Sequence, residues 1–225
     1  MHPLDRPIYN ALHSGWADLA QGDERARRID PLYGPFAGAV DDSIASRAAL
    51  TALAQDTDEI WLVGADAVTA PPGVAVVRTA TLAQMVARSI APATLPAPSV
   101  TVLDESDAQD MRDLALLTSP GPFAPLTHRL GRFIGVREGG NLIAMAGERM
   151  RLPGFTEVSG VCTHPDWRGR GLAGALMRIV AQAMIDRGET PFLHAYAAHD
   201  RTIALYRSLG FEVRAALPMM VVSRP

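Results

Sequence analysis

Thr163-His-Pro-Asp-Trp-Arg-Gly-Arg-Gly-Leu-Ala173 lies between two regular patterns. Before it, Phe155 to Cys162 reads as a strand. After it, Leu172 to Arg187 reads as a helix, with Leu172, Leu176, Val180 and Met184 four residues apart on one face. Arg178, Gln182 and Asp186 fall on the other face, and Gly188 is placed to end the helix. The link opens with a turn signal, His164-Pro165-Asp166, and continues with two glycines alternating with two arginines. The pattern predicts strand, loop and helix, with the helix start presented to solvent. Free backbone N–H groups at such a start favour anions. Glycine lets a ligand approach the backbone with no Cβ in the way. Arg168 and Arg170 add positive charge. The stretch is therefore expected to cradle a phosphate group, in particular a pyrophosphate.

Upstream, Arg132 to Arg137 and Leu142 to Ala146 flank Glu138-Gly-Gly-Asn141, a hairpin signal. Three consecutive antiparallel strands should thus lead into the glycine loop. Val100 to Leu103 reads as a strand and Asp104 to Leu117 as a helix. Ser119 to Pro125 reads as a proline-rich break, and Leu126 to Leu130 as a further helical turn. Downstream, Pro191 to Tyr196 is a strand and Asp200 to Leu209 a short helix. Phe211 to Arg214 and Met219 to Val222 are further strands.

The first part of the chain is less patterned. Leu4 to Leu19 can hold a helix through Ile8, Leu12 and Trp16, and Asp41 to Ala54 a second one with aspartates at its start. Glu59 to Val63 and Val74 to Arg78 read as buried strands, and Thr81 to Ser89 as a short helix. Ala91 to Ser99 holds three prolines and is expected to be an extended link. The expected division is an N-terminal α/β region, residues 1–97, and a second domain, residues 98–225.

Composition narrows the classes. The chain has 225 residues, 48% of them hydrophobic, enough for a sizeable core. A net charge of −3 with both signs dispersed gives no footprint for nucleic acid. No run of about 18 apolar residues is present, so no membrane partner is expected. The single cysteine, Cys162, excludes an intramolecular disulfide and fits a reducing compartment. The first residues lack the apolar core of a signal peptide. A cytoplasmic setting is the expectation, and heavy use of alanine and arginine over lysine points to a bacterial source. The six histidines are scattered, so no metal site is expected.

Two motifs carry a resemblance. Arg168-Gly-Arg-Gly171-Leu-Ala173 is similar to the Arg/Gln-x-x-Gly-x-Gly/Ala loop of the GNAT (Gcn5-related) N-acyltransferases. Ile203-Ala-Leu-Tyr206-Arg-Ser-Leu-Gly210-Phe211 is similar to that family's Ala-x-x-Leu-Tyr-x-x-x-Gly-Phe run. The segment Val158-Ser-Gly-Val-Cys-Thr-His-Pro165 resembles the FR47-like subgroup. The resemblance covers about residues 98–225. It implies an α+β fold, a mixed, mostly antiparallel twisted sheet flanked by helices, here with the additional N-terminal α/β half. That half has no glycine-arginine loop and is open to being a degenerate copy of the same fold.

The resemblance also implies acetyl-CoA, or another acyl-CoA, as donor and a primary amine as acceptor, by direct attack. Cofactor contacts are expected from Val161, Cys162, Thr163, Arg168, Gly169, Arg170, Gly171, Leu172 and Ala173. His199 stands where the family often has an asparagine that touches the cofactor, and Thr202 where it has a small residue. Tyr206 is expected to protonate the departing thiolate, and Glu157 to deprotonate the amine, with Glu148 as a second candidate base. Cys162 is read as packing rather than as a nucleophile, and His128 and His164 as loop and turn residues.

Gly169-x-Gly171-x-x-Gly174 also matches a dinucleotide fingerprint, but His164 to Arg168 separate it from its strand and Glu189 comes too early for the ribose acid. The alternative reading from another class is a non-catalytic acyl-CoA sensor or structural subunit. The acceptor, a small amine or amino-acid-like molecule, is left unnamed by the sequence, and a homodimer is open as the assembly.

Overall fold

Strands from both parts of the chain share one sheet. The computed structural model describes residues 2–65, 69–93 and 98–225. In chain order its elements are α1 (Pro7–Leu12), β1 (Ala20–Gly22), β2 (Ala26–Ile29), β3 (Ala37–Ala39), α2 (Ile44–Gln55), β4 (Ile60–Val63), β5 (Ala75–Val86) and β6 (Thr101–Leu103). There follow α3 (Ala108–Thr118), β7 (Phe133–Glu138), β8 (Asn141–Leu152), β9 (Phe155–Thr163), α4 (Leu172–Asp186), β10 (Thr190–Tyr196), α5 (Asp200–Ser208) and β11 (Glu212–Ser223). Eight strands form the main sheet in the order β4-β11-β5-β10-β9-β8-β7-β6, and β1-β2-β3 form a small one. Neighbours in the main sheet are antiparallel except β9 and β10, which run parallel. Helices flank this sheet, as the α+β expectation had it.

The expected hairpin joins β7 to β8, with Glu138 paired to Asn141. Helix α4 buries Leu176, Met177, Val180, Ala181 and Met184 against the sheet, the face its four-residue spacing marked. Leu4, Ile8, Leu12 and Trp16 are buried together with Phe36, Met150 and Phe192, which docks the first forty residues onto β8 and β10. The helix expected over Leu4 to Leu19 is shorter. Pro3 and Pro7 each begin a separate helical turn, leaving α1 between two 3₁₀ turns.

Two expectations about β5 are overturned. Thr81 to Ser89 is not a helix; residues to Val86 are the second half of β5. Leu82, Ala83, Gln84 and Met85 are good helix formers, yet all four are buried because β5 runs between β10 and β11. Backbone pairing on both edges outweighs local propensity. The first half of β5, expected to be buried, is exposed, with Val76 and Val77 about half accessible. The two C-terminal strand segments are one strand, β11, bent at two register shifts.

This pairing bears on the expected boundary at residues 97/98. β5 lies between two strands that follow that point, so the link does not separate two sheets. Residues 94–97 of the link lie outside the described residues. Among the described residues no helix is long and apolar enough to cross a membrane.

Candidate active site

The glycine loop takes the form its sequence calls for. Pro165–Trp167 make one 3₁₀ turn, and Gly169 and Gly171 then adopt φ of +78° and +76°, a region that side chains disfavour. Those two reversals expose the loop's amides. The backbone bonds here are Trp167 N–H to His164 O, Arg168 N–H to Pro165 O, and Ala175 N–H to Gly171 O. Among the described residues, the N–H groups of Gly169 through Gly174 donate to no protein acceptor, and α4 has no side-chain cap. Successive free amides at a helix start form an anion-binding nest. Arg168 anchors to Thr163 O through Nε, and the Arg170 guanidinium sits 4.2 Å from the Trp167 ring centre.

Strand geometry opens a groove beside this nest. β9 and β10 pair from Thr190–Phe155 to Phe192–Glu157 and no further, so the two strands part beyond that point. β9 also bulges, with Gly147 opposite Ser159 but Met145 opposite Cys162. Gly160, at φ +61°, carries the bulge, and a Cβ there would stand 2.7 Å from the Phe133 ring. The upper edge of β9 is thereby freed from β10. A cleft of about 710 Å³ follows this edge to the nest, lined by Val161, Cys162, Thr163, the loop and the start of α4. Thr163 Oγ1, buried and without a partner among the described residues, is available to a polar ligand in this cleft.

A second cavity, about 540 Å³, lies beyond the strand gap. Its walls include Phe36, Trp61, Tyr196, Arg149 and His194. The two spaces share Thr118, Pro120, Val161, Arg168, Thr202 and Tyr206. Half-buried Tyr206 thus faces both. Burial pushes its phenol up to about 12. His199, expected beside the cofactor, lines the second cavity and not the first. Pro120 and Pro122 line the second cavity too, while Phe123 packs edge-on against Phe133 at 5.8 Å.

The expected base sits elsewhere. Glu157 is buried and lines neither cavity. It accepts from Arg149 Nε at 2.8 Å and Nη2 at 3.0 Å, and from His194 Nδ1 at 2.8 Å. Burial would raise its pKa, but the Arg149 charge and the bonds from His194 and Arg149 outweigh it and hold the carboxyl down at about 2. Glu148 is likewise buried between Arg151 at 2.9 Å and Arg187 at 3.0 Å. Cys162 is buried and its thiol is pushed up to about 11, which suits packing rather than nucleophilic chemistry. His164 accepts from Asp166 N–H in the turn, and His128 is buried with Nε2 3.0 Å from Glu105.

His194 joins a chain of bonds that sequence reasoning missed. Arg214 Nη1 donates to Gln84 Oε1 at 2.7 Å, which fixes the orientation of that amide. Gln84 Nε2 then donates to Leu4 O at 2.8 Å and meets His194 Nε2 at 3.1 Å. With Gln84 donating, Nε2 accepts and the His194 proton lies on Nδ1, toward Glu157. Arg214 continues the chain to Asp5. One signal in the sequence pointed this way: Arg149, Glu157 and His194 each interrupt an apolar strand, and a charge in such a strand calls for a partner.

Comparison with known proteins agrees with this geometry. The FR47-like protein family matches residues 133–218. The chain is 31% identical over 125 residues to the N-alpha-acetyltransferase RimI of Mycobacterium tuberculosis, covering 51% of this chain and 78% of that protein. A crystal structure from Novosphingobium aromaticivorans, assigned to the GNAT family as an acetyltransferase, is 48% identical with a TM-score of 0.93, over 100% of both chains. A GCN5-related N-acetyltransferase from Kribbella flavida shares the fold at 21% identity, with a TM-score of 0.66 over 97% and 94% of the two chains. The chain belongs to the GNAT family of acetyltransferases. It is an enzyme, an N-acyltransferase that takes its acyl group from acyl-CoA.

Proposed function

We propose that the donor is acetyl-CoA, that its diphosphate rests on the N–H groups of Gly169 to Gly174, and that the acceptor amine enters through the cavity walled by Phe36, Trp61 and Tyr196. Bound acyl-CoA supplies an activated thioester. Everything else falls to the chain. Arg168 and Arg170 add charge beside the nest. The freed edge of β9 at Val161 to Thr163 offers main-chain partners to the pantetheine arm in the manner of an added strand. A free amide on that edge is suited to polarise the thioester carbonyl. The nest and the cavity hold the two reactants together, the largest contribution to rate.

Tyr206 gives its proton to the sulfur as the carbon–sulfur bond breaks, and the amine's own proton leaves to solvent. Glu157 orients His194 and neutralises Arg149; it does not act as the base. Arg168 beside the cavity disfavours the ammonium form of an incoming amine, which lessens the need for one.

The observation that carries this reading is the junction: two cavities from different parts of the fold meet at Tyr206. The test is thiol release from acetyl-CoA and from longer acyl-CoAs across a panel of primary amines, with product masses. Amine-dependent release with acetyl-CoA is expected. Binding without release for every amine would contradict the assignment of the second cavity to the acceptor.

A further inference from the structure

We infer that the acceptor is an amine on an aromatic or bulky apolar body that also carries a carboxylate, as an aromatic α-amino acid does, and that polycationic amines are excluded. This rests on the transferase reading above.

The cavity has a wide apolar wall. Trp61 and Tyr196 stand with Leu82, Val63 and Met150, and the volume suits one amino-acid-sized body. Its charged residues are of one sign. Arg149 and Arg168 line it, and among the described residues no aspartate or glutamate does. Of the acids in contact with its walls, Glu157 is paired with Arg149 and bonded to His194, and Glu59, which accepts from Trp61 Nε1 at 2.6 Å, is not among the residues that line it. Arg149 is already paired with Glu157, so the uncompensated cation a polyamine would meet is Arg168, and among the described residues no lining carboxylate is there to receive it.

The aromatic rings do not form a cage for an ammonium group either. Arg149 lies 4.7 Å over Phe36, whose ring also stacks with Trp16 at 5.7 Å and meets Trp61 edge-on at 6.3 Å. Arg78 lies 5.0 Å over Trp61 and 6.0 Å over Tyr196. One face of each of these rings is thus held by the protein's own guanidinium groups.

What the cavity offers instead is donors. Arg149 binds Glu157 through Nε and Nη2, and its Nη1 makes no hydrogen bond among the described residues. Among the described residues Arg168 commits only Nε, to Thr163 O. Guanidinium edges of this kind bind carboxylates with two parallel bonds. A body lying on Trp61 and Tyr196 with its carboxylate toward Arg149 leaves the adjacent amine free to approach the junction at Tyr206.

The test uses the full-length protein with acetyl-CoA and three matched amines: L-phenylalanine, 2-phenylethylamine and spermidine. Phenylalanine is expected to exceed phenylethylamine in kcat/KM by at least about tenfold, the value of one charge-assisted contact, and spermidine to give no release. Trp61→Ala is expected to raise KM for phenylalanine by roughly tenfold through lost apolar contact while the calorimetric Kd for acetyl-CoA stays the same. Release with spermidine equal to or above that with phenylalanine, or an unchanged KM in Trp61→Ala, would overturn the inference and leave the transferase reading intact. Failure of the wild-type protein to bind acetyl-CoA would remove both.

Discussion

Tyr206 is one of six residues shared by the two spaces, and its chemistry follows from where it lies. A phenol held near 12 stays protonated at any working pH, so the proton is always there to give. The gap to a free thiol at about 8.5 is roughly 3.5 units, on the order of 5 kcal/mol uphill for simple transfer. In the role proposed for Tyr206, the transfer is therefore completed by departure of the free thiol and return of a proton from solvent to the phenolate. Tyr206→Phe is expected to lower kcat by roughly a hundredfold or more, in the range for loss of a proton donor, with the Kd for acetyl-CoA unchanged; stopped-flow thiol release and calorimetry read the two separately. Glu157 has the opposite kind of role. Its folded pKa of about 2 lies below the ordinary 4.5, so its contribution to stability is present above about pH 4.5 and is lost as pH falls toward 2. The linkage is on the order of 3 kcal/mol. Chemical denaturation of Glu157→Gln against wild type is expected to show a gap that narrows from pH 5 to pH 3, while the acid limb of the rate profile stays in place. A limb that disappears in the variant would return Glu157 to the chemistry.

Among elements, the glycine loop and β5 mark the two ends of what the sequence made legible. The loop was readable because its signals are local: Pro165, Asp166, Gly169 and Gly171 fix the turn, and the four-residue spacing of Leu172 to Met184 fixes the helix it starts. The β7–β8 hairpin was readable for the same reason. The second half of β5 was not, since Thr81-Leu-Ala-Gln-Met-Val86 carries helix formers and becomes a strand only because β10 and β11 flank it. Neither was the three-stranded sheet β1-β2-β3, whose strands are three or four residues long and rich in arginine and glycine. The nest's residues were legible from spacing, whereas Arg149, His194, Phe36 and Trp61 converge only through strand order. The β9 bulge lies between these extremes, a glycine in a strand with no stated purpose until the partner strands are seen. Gly160→Val places a branched side chain at φ +61° and against Phe133. Strain of roughly 2–3 kcal/mol is expected, a fall of about 5–10 °C in Tm by calorimetry. An unchanged Tm would mean that the bulge tolerates a Cβ and does not fix the strand gap.

For the whole molecule, the sheet decides what can stand alone. Residues 98–225 contain both family motifs, but they lack β5, which separates β10 from β11, and β4 at the sheet edge. We propose that the chain folds as one unit. A fragment of residues 98–225 is expected to show no cooperative thermal transition and no acetyl-CoA binding, where the full chain shows both. A fragment that melts cooperatively and binds would restore the boundary at the proline-rich link. The same topology explains the division of labour between donor and acceptor. The FR47-like match, residues 133–218, contains the nest and the strand gap, whereas Phe36, Trp61 and Leu82 come from before it. We propose that donor binding belongs to the matched segment, and that the acceptor cavity is completed by these residues from before it.

All of this depends on the free amides between Gly169 and Gly174 holding the diphosphate of the donor. The most direct measurement is calorimetric titration of acetyl-CoA into the wild-type protein and into Gly171→Asp, which places a carboxylate and a strained φ of +76° in the nest. Binding at one site in the wild type, and loss of at least about a hundredfold in affinity in the variant, a few kcal/mol of charge and strain, is the expected result. Equal affinity in the two proteins would contradict it.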